Sequence, residues 1–186
     1  MKRPDMRLAA ALVGGLAIVL SACAAPTGSR GGLERWDRDG VRFEVPAGWE
    51  LLASTAVASG GSRRLLYLAT QPMRDDCTTA AYAQTCSLPI DQLEPGGVLI
   101  WWHTTTCAGP ACALPDGDLT QIGGREATAV PPAEGCGQIG QTDASAYLVA
   151  VSPQRLDTIV VCSRDASAAT LGELRAFLDA VEWRTP

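Results

Sequence analysis

Seven cysteines constrain this chain more than any other feature. Cys23 stands alone near the start, and Cys77, Cys86, Cys107, Cys112, Cys136 and Cys162 are spread over the remainder. Before Cys23 the chain has the three parts of an export signal: a positive start at Lys2, Arg3 and Arg7, an apolar run from Leu8 to Leu20, and the small residues Ser21-Ala22. The run is 13 residues long, whereas a membrane-spanning helix needs roughly 20. It therefore reads as the core of a signal peptide. An even set of six cysteines in an exported chain predicts disulfides, because that compartment permits oxidation. Six cysteines allow 15 pairings, and proximity favours Cys77–Cys86, Cys107–Cys112 and Cys136–Cys162.

Leu20-Ser21-Ala22-Cys23 resembles the lipobox of bacterial lipoproteins. The resemblance implies cleavage before Cys23 and transfer of a diacylglyceryl group to its sulfur, chemistry that requires a thiolate nucleophile. Two acyl chains satisfy the two-signal requirement for stable membrane attachment. The expected organisation is a signal peptide at 1–22, a lipidated flexible tether at 23–32 and one domain at 33–186. The tether follows from the Gly, Ala, Ser and Pro content of Ala24 to Gly32. The expected location is the outer, extracytoplasmic face of the cell membrane.

Residues 1–22 carry Lys2, Arg3, Arg7 and Asp5, so the rest of the chain has 12 basic and 19 acidic residues. Every basic residue after Lys2 is arginine. Such an acidic domain is a poor nucleic-acid binder, and it lacks a lysine for Schiff-base chemistry.

The pattern predicts strands first and a helix last. Val41 to Val45 alternates apolar and polar and stops at Pro46-Ala47-Gly48. Leu65 to Ala69 is a second strand after Gly60-Gly61-Ser62. Pro72 to Gly97 reads as a long excursion stapled by Cys77 and Cys86, and Gly97 to Thr104 as a central strand apolar on both faces. A hairpin is expected to turn at Gly123-Gly124, and a second to join Tyr147–Val151 to Thr158–Cys162. Thr170-Leu171-Gly172-Glu173 fits a helix capping box, with Leu171, Leu174, Phe177, Leu178 and Val181 on one face and Trp183 packing just after. These elements predict an α+β domain: a mainly antiparallel sheet, a C-terminal helix packed on it, and disulfide-stapled loops.

Phe43-Glu44-Val45-Pro46-Ala47-Gly48-Trp49 is similar to the F-x-V-P-x-G-W opening of PsbP-like lipoproteins from high-GC Gram-positive bacteria. The closing hairpin and Leu174 to Val181 are similar to that family's end. The resemblance implies a sheet with helical cover and a binding or assembly role, and supplies no catalytic residue.

His103 is the single histidine, on the Leu99–Trp101 face of its strand by period-two counting. No G-x-S-x-G elbow accompanies it, so a hydrogen-bonded histidine at a strand end is preferred to a catalytic one. His103-x3-Cys107-x4-Cys112 has poor spacing for zinc, and Cys107 and Cys112 are too far apart for a C-x-x-C redox pair. Asp116-Gly117-Asp118 and Asp75-Asp76 read as turn and loop, not calcium ligands. No metal and no cofactor is called for. Trp101 and Trp102 point to opposite faces, so one can fill the core while the other lines a pocket or surface, although an aromatic on a central strand is usually core. With His103 they are the candidate ligand-facing residues. The functional expectation is a non-enzymatic lipoprotein that binds a lipid, a small molecule or an envelope protein. The alternatives are an envelope assembly factor and an enzyme using His103.

Overall fold

The computed structural model describes residues 34–54, 62–75, 77–80, 83–107, 112–131 and 135–184. Cys23, the export signal and the tether lie outside the described residues. The compact unit that contains them all runs from Leu33 to Pro186.

Among the described residues, twelve strands and one α-helix make up this unit. β3 (Glu50–Ala53), β4 (Ser62–Ala69), β7 (Val98–Thr106), β8 (Asp118–Ile122), β9 (Arg125–Val130), β10 (Asp143–Ser152) and β11 (Arg155–Ser163) form a seven-stranded sheet in the order β3-β4-β7-β11-β10-β9-β8. Every pairing in it is antiparallel. β1 (Arg35–Arg38), β2 (Val41–Glu44) and β12 (Glu182–Trp183) form a second sheet in the order β1-β2-β12, and β5 (Cys77–Ala80) pairs with β6 (Ala83–Cys86) alone. The helix α1 spans Ala168–Asp179.

The alternation of side chains along β7 divides the interior in two. Val98, Ile100 and Trp102 join a first core with Leu66, Leu68, Ile159 and Val161 of the large sheet. That core also holds Trp36, Val41 and Phe43 from the small sheet, and Leu174, Phe177 and Leu178 from α1. Leu99 and Trp101 join a second core with Tyr67, Ala69, Val160 and Cys162, closed by Ile90, Leu93, Cys136 and Ile139. The long 70–97 connection therefore serves as part of the cover of the second face.

Phe43 is the hub of the first core. It lies parallel to Trp36 at 6.3 Å and to Trp102 at 6.0 Å, and meets Phe177 edge-on at 5.1 Å. Aromatic pairs in these arrangements add about 0.5–1.5 kcal/mol each beyond their buried area. Both aromatics of the Phe43–Trp49 motif are thus core residues.

Turn chemistry sets the hairpins. Gly123 and Gly124, both with positive φ (55° and 73°), join β8 to β9, as a two-residue loop demands. Asp39-Gly40 (φ 56° and 70°) does the same between β1 and β2. Gly123 has a second reason to lack a side chain: a Cβ there would lie 2.0 Å from the Val181 carbonyl oxygen. Its N–H donates to the Leu178 carbonyl at 3.0 Å, so the turn is fitted against the end of α1.

The cap of α1 differs from the expectation. Ser167, not Thr170, is the N-cap, and its hydroxyl accepts the Thr170 N–H at 3.1 Å. The serine satisfies one of the free amides of the first turn, so the helix starts nearly a turn early. Leu171 is 42% exposed, and the buried stripe is Leu174, Phe177, Leu178 and Val181. Trp183 follows as expected, donating its indole N–H to the Ile122 carbonyl at 2.8 Å.

Two of the expected disulfides are formed among the described residues. Cys107–Cys112 spans a Cα–Cα distance of 5.6 Å and Cys136–Cys162 one of 5.5 Å. The second is sealed in the core, with Cys136 2% and Cys162 0% exposed. Cys77 stands in register opposite Cys86 at the open end of the β5–β6 hairpin, the position a cross-strand bond requires.

Candidate functional site

Trp101, Trp102 and His103 follow one another on β7, and the structure gives each a different setting. Trp102 is fully buried in the first core, and its indole N–H donates to Asp157 Oδ2 at 2.8 Å. Trp101 is 5% exposed in the second core. Both faces of the sheet are covered, so both tryptophans are interior. His103, two residues past Trp101 on the same face, is half-buried beyond the second core.

An irregularity in the neighbouring strand builds the surroundings of His103. In β4, Arg64 pairs with His103, and the register then shifts so that Leu66 pairs with Trp102 and Tyr67 with Trp101. Leu65 is the extra residue of a β-bulge. Leu65 and Leu66 both enter the first core. Arg64 and Tyr67, three apart and otherwise destined for opposite faces, therefore share the face of His103 and Trp101.

Their side chains meet there. Arg64 donates from Nε to His103 Nε2 at 3.4 Å, a long hydrogen bond, and from a terminal nitrogen to the Tyr67 hydroxyl. Its guanidinium carbon lies 4.9 Å from the Tyr67 ring centre, within range of a cation–π attraction. Burial, with the adjacent Arg64 charge adding to it, pushes the His103 imidazole down to about pKa 4. His103 is thus neutral at physiological pH. Because its Nε2 accepts, Nδ1 carries the proton. Burial raises the Tyr67 hydroxyl above its ordinary value, with Arg64 opposing and Asp75 reinforcing the shift.

Comparison with protein-family models, curated proteins and solved structures finds no match to this chain. Function has to be read from the residues and their geometry.

The other polar centre of the interior is Asp157, 0% exposed. Arg155, two residues earlier on β11, clasps it with two 2.7 Å bonds, from Nε to Oδ1 and from the outer nitrogen to Oδ2. The remaining terminal nitrogen of Arg155 donates to the Asp39 carbonyl in the β1–β2 turn. Arg63 pairs with the Asp39 carboxylate at 2.6 Å. This network ties the turn of the small sheet to β4 and β11 of the large one, and its groups are satisfied among themselves.

Among the described residues no group of three or more His, Cys, Asp or Glu side chains is placed to hold a metal. Cys107 and Cys112 are bonded to each other, and Asp116-Gly117 forms a bend before β8. An open groove of about 320 Å³ lies between β2 and the end of α1, lined by Arg35, Arg42, Phe43, Glu44, Ala180 and Glu182. Its charged rim is internally paired, Arg35 with Glu44 at 2.8 Å and Arg42 with Glu182 at 3.6 Å. Arg64 and Tyr67 are the site residues that sequence reasoning missed. Leu65 to Ala69 is an unbroken apolar run, so nothing in the strand's own pattern marks the inserted residue.

Proposed function

We propose that this chain is a lipid-anchored extracytoplasmic module of the bacterial envelope that binds a ligand or an envelope partner and performs no catalysis. The observation that carries the compartment is the Cys136–Cys162 bond, closed between two almost fully buried sulfurs. A bond of this kind forms and persists in an oxidising compartment. The residues before Cys23 supply the export signal and Cys23 the lipid acceptor. No helix among the described residues is long and apolar enough to cross a membrane. In this reading the lipid on Cys23 provides the attachment.

The binding role rests on the face of the large sheet that carries His103. The first face is filled by aromatic residues, and we read α1 as its fixed cover, with Phe177 against Phe43 and Trp49. The second face ends in a half-buried polar group, Arg64 with His103, beside the covered Trp101. An assembly role, in line with the PsbP-like resemblance of Phe43 to Trp49, would place a protein partner on the same domain.

The anchor is tested by expressing the chain and its Cys23→Ala variant and measuring the intact mass of the membrane fraction. The expected result is a diacylglyceryl mass on the parent chain only. A variant that keeps that mass overturns the reading. Crosslinking in membranes then separates the partners: a stoichiometric protein supports assembly, and a co-purifying small molecule or lipid supports ligand binding.

A further inference from the structure

Most arginines among the described residues are matched with carboxylates. Arg35, Arg42, Arg63, Arg74, Arg155, Arg175 and Arg184 each have an Asp or Glu oxygen within 4.0 Å. An excess of acidic residues makes such matching easy. Arg64 departs from it, as do Arg38, Arg125 and Arg164, and of these four Arg64 is the one held by two neutral side chains. Among the described residues its partners are all neutral: the imidazole of His103, the hydroxyl of Tyr67 and the face of the Tyr67 ring. Asp75 reaches this corner only through the influence of its charge on the Tyr67 hydroxyl.

A guanidinium cannot shed its proton, so holding one half-buried with no carboxylate in contact costs free energy. The fold maintains that arrangement with a β-bulge, which turns Arg64 onto this face, and with two neutral acceptors that fix its plane. Two of its five N–H groups are used, and the rest have no partner among the described residues.

We infer that Arg64 is the anchoring cation of a small-molecule site on the Trp101 face of the large sheet, and that its ligand presents a carboxylate. This inference rests on the binding-module reading above. A planar carboxylate matches the free edge of a guanidinium with two parallel hydrogen bonds. A phosphate dianion calls for more positive charge than one arginine, and no lysine follows Lys2 in the chain. Neutral His103, protonated on Nδ1, adds a donor without adding a charge.

The test is an NMR titration of the full chain in detergent, labelled at its arginine and histidine side chains, with benzoate and with inorganic phosphate in separate arms. A saturable shift of the Arg64 Nε–H and of the His103 ring signals with benzoate is expected, and the His103 shift, which reports affinity in every variant, is lost in Arg64→Gln and kept in Arg125→Gln. Arg64→Lys keeps the charge but not the fork, and weakens benzoate at least tenfold. It also carries the test if Arg64→Gln does not fold. Absence of a saturable shift, or equal affinity in Arg64→Lys, overturns the site. Phosphate binding tighter than benzoate overturns the carboxylate assignment. A ligand found elsewhere on the chain leaves the binding-module reading standing and removes this one.

Discussion

Trp102 and Asp157 are joined by a 2.8 Å hydrogen bond between two side chains with no measurable exposure to water. The indole comes from the centre of β7 and the carboxylate from β11, and Arg155 neutralises the charge. Deleting one member of such a buried pair leaves the other uncompensated. Asp157→Ala is expected to cost about 3–5 kcal/mol, read as a lowered urea midpoint. Trp102→Phe, which leaves the Arg155–Asp157 pair intact, is expected to cost about 1–3 kcal/mol. Equal losses would mean that the ion pair contributes nothing beyond packing.

The two disulfides are expected to contribute unequally. Cys136–Cys162 closes a sequence separation of 26 and Cys107–Cys112 one of 5. Chain entropy gives about 3.5 kcal/mol for the first and about 2 for the second. The Cys136→Ala/Cys162→Ala double variant should therefore lose more stability than Cys107→Ala/Cys112→Ala, and a cavity in the second core widens the gap. Thermal unfolding of both pairs under oxidising conditions decides it, and the reverse order would refute the assignment of Cys136–Cys162 as the main staple.

His103 makes stability depend on pH in a defined window. Its folded pKa, lowered to about 4 by burial and by Arg64, lies below the ordinary value near 6.5. Between those values the unfolded chain binds more protons than the folded one, so stability falls as pH falls from about 6.5 to 4 and is fully present above. His103→Gln keeps an acceptor for Arg64 and removes the titration. Its stability relative to the parent should rise steadily across that window, measured by urea midpoints at pH 7, 5.5 and 4. A constant difference would show that His103 titrates normally.

The two glycines of the β8–β9 turn should respond differently to alanine. At Gly124 the added methyl meets open space, and only the positive φ is penalised, at about 1–2 kcal/mol. At Gly123 the methyl also meets the Val181 carbonyl at 2.0 Å, so the turn must leave the end of α1. Gly123→Ala is expected to cost about 3 kcal/mol or more. Equal melting temperatures for the two variants would show that the turn shifts freely.

Legibility in the sequence followed the range of the forces involved. The β8–β9 and β10–β11 hairpins and the central β7 declared themselves through local alternation and turn residues, and each formed as expected. β1, β3 and β12, at four, four and two residues, carry too little pattern to stand out. The opposed directions of Trp101 and Trp102 followed from strand geometry. Cover on both faces was legible in the apolar run of β7, but the source of the second cover was not, because Ile90, Leu93 and Ile139 lie in a loop and a 3-10 turn with no periodicity. Arg64 and Tyr67 needed knowledge of the strand beside them: only the β4–β7 register shows that a residue has been inserted.

That inserted residue has an evolutionary consequence. Leu65 adds one position to β4, and the bulge absorbs it, so that the residues before and after it keep their faces. Removing a single codon there would make Arg64–His103, Leu66–Trp102 and Tyr67–Trp101 consecutive pairs of a regular ladder, keep Arg64 on the face of Tyr67 and His103, and take one leucine from the first core. The length of β4 can therefore change by one residue without disturbing the charged corner, and relatives of this chain should keep Arg64, Tyr67 and His103 together whether or not they carry the extra leucine.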